Sequence, residues 1–409
     1  MSVPLGLTSE REISEDHLRK RIIELDGLRG IAIVLVLMVH FGAVYPARAV
    51  GERAVQSLMA TGWCGVDLFF VLSGFLITGI LLDTRDDSGY FRKFFARRIL
   101  RIFPLYYGAL IGAFLIAPVW MPGIIDERLQ SSQWSLWCYV SNLNSILTGP
   151  ESMRGTVFNF AHFWSLAIEE QFYLVWPFVL LWLKPRWLPK LCLALILLGI
   201  PVRLASLYWI GPYAPYYFTP CRLETLAWGG LCATMVRHYS REHLMQFARW
   251  STAIGAGGVV GLFLWNGGLH YAAPIATVWS QSFFAAMFSG VVLLAYHSEA
   301  WTLGSWLRWP ALQILGKYSY GIYVMHGLLQ VFLRKYIDDF VHVSPNYYVG
   351  VLCYVGVCGL ICLCLARVTW EFEKFFLRLK KHFDYDLAAS DDAAKPVLAT
   401  VPQSVTATP

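Results

Sequence analysis

Arg29 and His40 stand eleven residues apart in LDGLRGIAIVLVLMVHF. On an α-helix that interval is three turns plus about 20°, with a rise of about 16 Å. The two side chains therefore share a face, a fixed cation near one membrane surface and a titratable imidazole deeper in. Ionisable groups inside an apolar span are costly enough that function is their first reading. The competing structural reading makes Arg29 a snorkelling anchor and His40 an interhelical hydrogen-bonding residue. In GWCGVDLFFVLSGFLITGILL, Asp67 enters its run at a depth comparable with His40. A carboxylate there is placed to orient and polarise the imidazole, as in a catalytic dyad, or else it ties two helices together. Ser73, beside Gly74, reads as a small-residue packing position that lines a cavity rather than as a nucleophile, since no G-x-S-x-G elbow surrounds it. Glu169 and Glu170 in FWSLAIEEQFYLVWP project about 100° apart, so at most one of them faces a given cavity directly.

Further charge lies at the ends of the apolar runs. FRKFFARRILRIFP gathers Arg97, Arg98 and Arg101 among aromatic residues ahead of a helix-starting Pro104. Such forked donors grip phosphates, although juxtamembrane arginines also serve topology and anionic lipid. CRLETLAWGG sets Arg222 and Glu224 at the outer mouth of a span, either paired structurally or holding a polar acceptor. In KYSYGIYVMHGLL, His326 follows Tyr320 and Tyr323 by about a turn or two. Structural hydrogen bonding is the first reading of these three, with Tyr323, His326 and Glu170 as further cavity-lining candidates.

The elements that must position these residues follow from composition. Of 409 residues, 57% are hydrophobic and only 15% charged, against roughly 25% charged in a soluble domain. That balance excludes a disordered chain and points to an all-α polytopic membrane protein, since in lipid only helices and closed barrels satisfy the backbone. Runs of about 20 residues rather than alternating stretches of about 10 exclude a barrel. They fall at about 27–46, 62–82, 102–121, 162–183, 188–210, 222–237, 249–266, 274–296, 317–336 and 347–368, predicting about ten transmembrane helices around a central polar cavity. Basic residues concentrate before the first run, between the second and third, and after the last, so both termini are expected in the cytoplasm. The connection 122–161 is too aromatic for a free loop and is expected to fold over the outer face. The chain divides into a cytoplasmic N-terminal segment 1–23, a transmembrane unit 24–370, and a cytoplasmic tail 371–409, expected to be disordered after about 385. No apolar core of a cleavable signal peptide precedes the first run. The nine cysteines include no C-x-x-C, so neither zinc, nor any other metal, nor a disulfide framework is expected. The net charge of +6 records cytoplasmic loops rather than nucleic-acid binding.

Taken together, LDGLRGIAIVLVLMVHF, GVDLFFVLSGFLIT, FFARRILRIFPLYY, FWSLAIEEQFYLVWP, CRLETLAWGG and SYGIYVMH resemble, in order and spacing, the bacterial integral-membrane acyltransferase-3 family. The likeness covers about residues 24–370. It implies a multi-pass protein of the bacterial cytoplasmic membrane that O-acylates extracytoplasmic sugars, glycans or glycosylated metabolites. By the resemblance His40 is the essential histidine and Arg29 its partner in the family signature, while Asp67, Arg97, Arg98, Arg101, Glu169, Arg222 and His326 fall on characteristic positions. Some members carry an esterase-like domain after the last span, and no such domain is expected in the tail of about 40 residues here. The combined expectation is an acyl-CoA co-substrate, acetyl-CoA being the commonest expectation from the family, with no permanently bound cofactor. Its phosphates would lie near Arg97, Arg98, Arg101 and Arg29. His40 would be the general base oriented by Asp67, with Glu169 and Arg222 lining the acceptor's entrance; an acyl-histidine intermediate stays open as an alternative to direct transfer. The same buried charges also suit a proton-coupled transporter or flippase of glycan precursors, a reading weakened by the lack of visible internal repeats. A non-catalytic membrane partner of an assembly complex is the third reading.

Overall fold

The computed structural model describes residues 22–43, 47–271, 273–297, 304–341 and 346–385. The expectations for most of the N-terminal segment and for the tail beyond 385 fall outside them. Long apolar runs have no backbone partners in lipid except their own, and the described residues are accordingly almost entirely helical. Among the described residues the β-type pairing is a single isolated bridge, Arg154 to Asn159. Eleven helices organise it: α1 (Ile23–Leu37), α2 (Val50–Ala60), α3 (Gly65–Asp83), α4 (Tyr90–Ile111), α5 (Trp164–Trp182), α6 (Leu188–Trp209), α7 (Thr219–His238), α8 (Arg241–Asn266), α9 (Pro274–Tyr296), α10 (Pro310–Val341) and α11 (Tyr347–Arg378). Each predicted run overlaps one of them, with 27–46 and 102–121 running on past the ends of α1 and α4 into π-turns at Met38–Gly42 and Gly112–Ile116. Seven stretches among the described residues are long and apolar enough to cross a membrane: Ile23–Gly42, Val50–Asp83, Tyr90–Trp120, Pro185–Trp209, Arg241–Asn266, Pro274–Tyr296 and Tyr347–Phe383. Helices α5, α7 and α10 carry the Glu169–Glu170 pair, Arg222 with Glu224, and Lys317 with His326.

Helix α3 sits at the centre, packed against α1, α5, α7 and α9, while α10 lies between α1 and α11. The α3–α7 crossing is close because both helices present glycine. A Cβ at Gly74 would lie 2.0 Å from the Leu226 carbonyl oxygen, and one at Gly229 would lie 2.1 Å from that of Val71, the small-residue contact typical of helices that pack without a hydrophobic drive. The outer helices instead leave apolar side chains bare, with Leu197 on α6, Leu264 on α8 and Val368 on α11 at 69, 74 and 67% exposure. An apolar belt of that extent needs lipid to cover it.

Two local departures from the sequence reading matter for the site. The arginine-rich stretch is already helical, so Pro104 lies inside α4 rather than at its start. Helix α1 widens into a π-turn at Met38–Gly42 that carries His40. The 122–161 connection folds into short helices at Glu127–Ser132, Trp134–Trp137 and Ser141–Thr148. It is tied down by Tyr106 and Tyr107, which donate to the carbonyls of Leu136 and Trp137 at 2.8 and 3.1 Å.

Candidate active site

The single polar cavity expected from the sequence is two cavities set back to back. One, of about 720 Å³, is strongly basic. Helix α1 contributes Asp26 and Arg29, α4 contributes Arg97, Arg98 and Arg101, and Lys317 and Lys380 add two further cations. Against these six basic side chains stand two carboxylates, Asp26 and Glu169. Arg29 donates to Asp26 at 2.6 Å, and Arg97 reaches Asp384 at 2.5 Å while lying over the Tyr385 ring. Arg98 lies over the rings of Phe94 and Tyr173, and Arg101 over Trp370. Ring faces hold a guanidinium without neutralising it, so charge is left for a ligand. Burial pushes the Tyr385 phenol above its ordinary range, and the neighbouring Arg98 and Arg97 pull it back. Ser73 donates to Glu169 Oε1 at 2.5 Å and lies 2.9 Å from the Tyr173 hydroxyl. Glu169 therefore belongs with the arginines, not with His40. Its neighbour Glu170 lines neither cavity, and its Oε1 is buried without a hydrogen-bond partner among the described residues.

The other cavity, of about 740 Å³, contains His40. The π-turn carries His40 one turn beyond Val36, and the His40 Nδ1 lies 2.8 Å from the Val36 carbonyl oxygen. A carbonyl only accepts, so Nδ1 carries the proton and Nε2 is left with the lone pair, the tautomer a base requires. His326 is fixed in the same way, Nδ1 to the Tyr323 carbonyl at 2.6 Å. Its ring meets that of His40 at 4.7 Å between centroids and that of His162 at 4.6 Å. His326 does not line the cavity; it lies fully buried behind the two histidines that do. His162 escaped the sequence reading because NFAHFW looks like an aromatic loop. It lies against α10 where Gly327 leaves room, since a Cβ there would fall 2.0 Å from its Nδ1. Among the described residues no group of histidine, cysteine or acidic side chains is arranged to hold a metal. At the rim, burial lowers His270 below the usual imidazole value.

Val66 and Tyr323 line both cavities. The Tyr323 hydroxyl lies 2.5 Å from Ser165 Oγ and donates to the His162 carbonyl at 3.1 Å, so the wall between the two spaces is held by a fixed phenol.

The expected His40–Asp67 dyad and the Arg222–Glu224 mouth need correction. Asp67 accepts from Arg222 Nη2 at 2.5 Å, both side chains being completely buried. Glu224 pairs instead with Arg203 at 2.6 Å. A buried carboxylate gains more from a full cation than from a neutral imidazole, and the Val36 carbonyl already orients His40. Arg222 lines neither cavity; Phe70, Trp164 and Tyr216 enclose it, with ring centroids 5.2, 5.7 and 5.4 Å from its Cζ. Arg203 anchors the second pair, donating also to the Val278 carbonyl and to Ser282. The sequence gives no sign of it, because its partner lies on the next helix and only the packing of α6 against α7 brings the two together.

The sequence model of a family described as an acyltransferase domain matches residues 22–367. The peptidoglycan O-acetyltransferase OatA of Listeria monocytogenes is 30% identical over 334 residues, covering 75% of this chain and 49% of its own length. O-acetyltransferase OatA of Staphylococcus aureus is 26% identical, covering 76% of this chain and 51% of its own. The chain thus spans about half the length of the curated relatives it matches. No solved structure matches.

Proposed function

Because the chain belongs to the acyltransferase-3 family and is an acyltransferase, we propose that it moves an acyl group, acetyl by likeness to its relatives, from acyl-CoA to a hydroxyl of an extracytoplasmic glycan or glycosylated acceptor. The transporter reading of the same buried charges is set aside by that membership. The observation that carries the proposal is the pair of cavities meeting at Val66 and Tyr323, one crowded with cations and the other holding an oriented histidine. The nucleotide phosphates of the donor suit Arg98, Arg101, Arg97 and Arg29, and the thioester reaches the shared wall. His40 Nε2 takes the proton of the acceptor hydroxyl as its oxygen attacks the thioester carbonyl. The C–S bond breaks, the thiolate recovers a proton, and an ester and free CoA leave. Glu169 acts on the donor side, holding Ser73, and Asp67 acts through Arg222 as a positioning residue. The excess of lysine and arginine puts the basic cavity and both termini in the cytoplasm; α5, α7 and α10 then cross as well, making ten spans.

Sealed inverted vesicles test this. Labelled acyl-CoA added outside, at the cytoplasmic face, is expected to acylate acceptor trapped inside. His40→Ala is expected to lower turnover by about 10²–10⁴-fold, the range for a general base, with melting temperature preserved. Reaction only when both substrates share one face would remove the two-sided site, and near-parental turnover by the variant would remove His40 as base.

A further inference from the structure

The histidine cavity differs from the basic one in a respect that bears on the acceptor. Among the described residues lining it there are two arginines, Arg154 and Arg334, and no carboxylate. Both guanidiniums line the same cavity as His40. Two cations beside a base disfavour the imidazolium that forms when the base takes a proton, so their presence works against the chemistry unless something neutralises them during the reaction. Topology does not account for them either, because on the orientation above they lie on the side that the positive-inside rule depletes of arginine.

We propose that the acceptor carries an anionic group, carboxylate or phosphate, close to the hydroxyl that is acylated, and that Arg154 and Arg334 bind it beside His40. The inference rests on reading this cavity as the acceptor site. The scaffold holds both arginines in place. Arg334 follows His326 and Gln330 at intervals of four, so the three share one face of α10. His326 touches the His40 ring, and Gln330 donates to the His40 carbonyl at 2.9 Å. Across the cavity the backbone of Arg154 is tied by a β-bridge to Asn159, whose side-chain amide donates to Gln330 Oε1 at 2.7 Å. Arg154 also meets Glu151 at 3.1 Å through Nη1. That pair is solvent-exposed and of the weak surface kind, and Glu151 does not line the cavity. An anion seated between the two forks gains charge-assisted hydrogen bonds and relieves the charge that opposes proton transfer to His40.

The test uses full-length protein in nanodiscs and three probes: methyl glucoside, methyl glucuronide and glucose 6-phosphate. Binding is read from tryptophan fluorescence, since Trp63 and Trp164 line the cavity, and acyl transfer is read separately. At least one charged probe is expected to bind tenfold or more tighter than the neutral one. Which of the two prevails separates carboxylate from phosphate. Arg154→Gln and Arg334→Gln are each expected to remove most of that preference while leaving binding of the neutral glucoside in place. Equal binding of charged and neutral probes, equal weakening of both by the variants, or no binding of any probe would overturn the proposal. Anion preference without transfer would leave the proposal standing and sink the acyl-transfer reading, whereas transfer indifferent to acceptor charge would do the reverse.

Discussion

Arg98 and Arg101 on α4 face an open cavity and rest on ring faces, whereas Arg203 on α6 and Arg222 on α7 are sealed from solvent and matched one to one with Glu224 and Asp67. All four are arginines held among apolar helices, and the cost of placing them there is of the same kind. What differs is who supplies the counter-charge. For α6 and α7 it comes from the chain itself, so the ion pairs set how α3, α6 and α7 dock and have little left for a substrate. On α4 the chain supplies aromatic faces that hold a cation without cancelling it, and the remaining field suits an incoming anion. The sealed pairs of α6 and α7 therefore read as docking contacts, and the ring-held arginines of α4 as groups open to an anion.

Breaking the sealed pair gives the largest effect. Arg222→Met or Asp67→Asn alone strands an uncompensated buried group, and the expected loss is about 3–5 kcal/mol of stability, read as lower folded yield and melting temperature in detergent. The double variant is expected to recover much of the loss. A single variant that folds like the parent and alters only acceptor dependence would return Arg222 to the acceptor site. Charge removal in the open cavity is expected to do the opposite. Arg98→Gln and Arg101→Gln should each raise half-saturating acyl-CoA by about tenfold or more, since a hydrogen bond to a charged group is worth about 1.5–3 kcal/mol, with little change in melting. If melting falls as far as for Arg222→Met, α4 and α7 are not different in kind.

The same contrast explains what was legible in the sequence. The α4 arginines could be grouped because their relation runs along a single helix, where 3.6-residue periodicity and the apolar pattern suffice. The helices themselves followed from run length. The pairing of Asp67 with Arg222 and of Glu224 with Arg203 depends on how α3, α6 and α7 dock, and no local pattern in one helix carries that information. Helical spacing put Arg29 and His40 on one face, yet they line different cavities. His40 sits on the π-turn at Met38–Gly42, and the Val36 carbonyl one turn earlier orients it where a carboxylate was expected to do so. His162 became visible only when Gly327 on α10 brought it to His326.

The smallest expected effect concerns the wall between the cavities. Tyr323 borders both, and its hydroxyl meets Ser165 Oγ and the His162 carbonyl. Tyr323→Phe keeps the ring that fills the wall and removes the hydroxyl that fixes it. Ser165 retains its own bond to the His162 carbonyl at 3.2 Å, so no buried hydroxyl is left without a partner. The loss should therefore stay near the net worth of one neutral hydrogen bond, about 1 kcal/mol, in both melting and transfer. Acyl-CoA hydrolysis without acceptor should rise by no more than about fivefold, the factor that the same free energy allows. A far larger fall in transfer with normal melting would give the phenol a part in the proton path between acceptor and thiolate. A far larger rise in hydrolysis would show that this one hydroxyl, rather than the packed ring, keeps the two cavities apart.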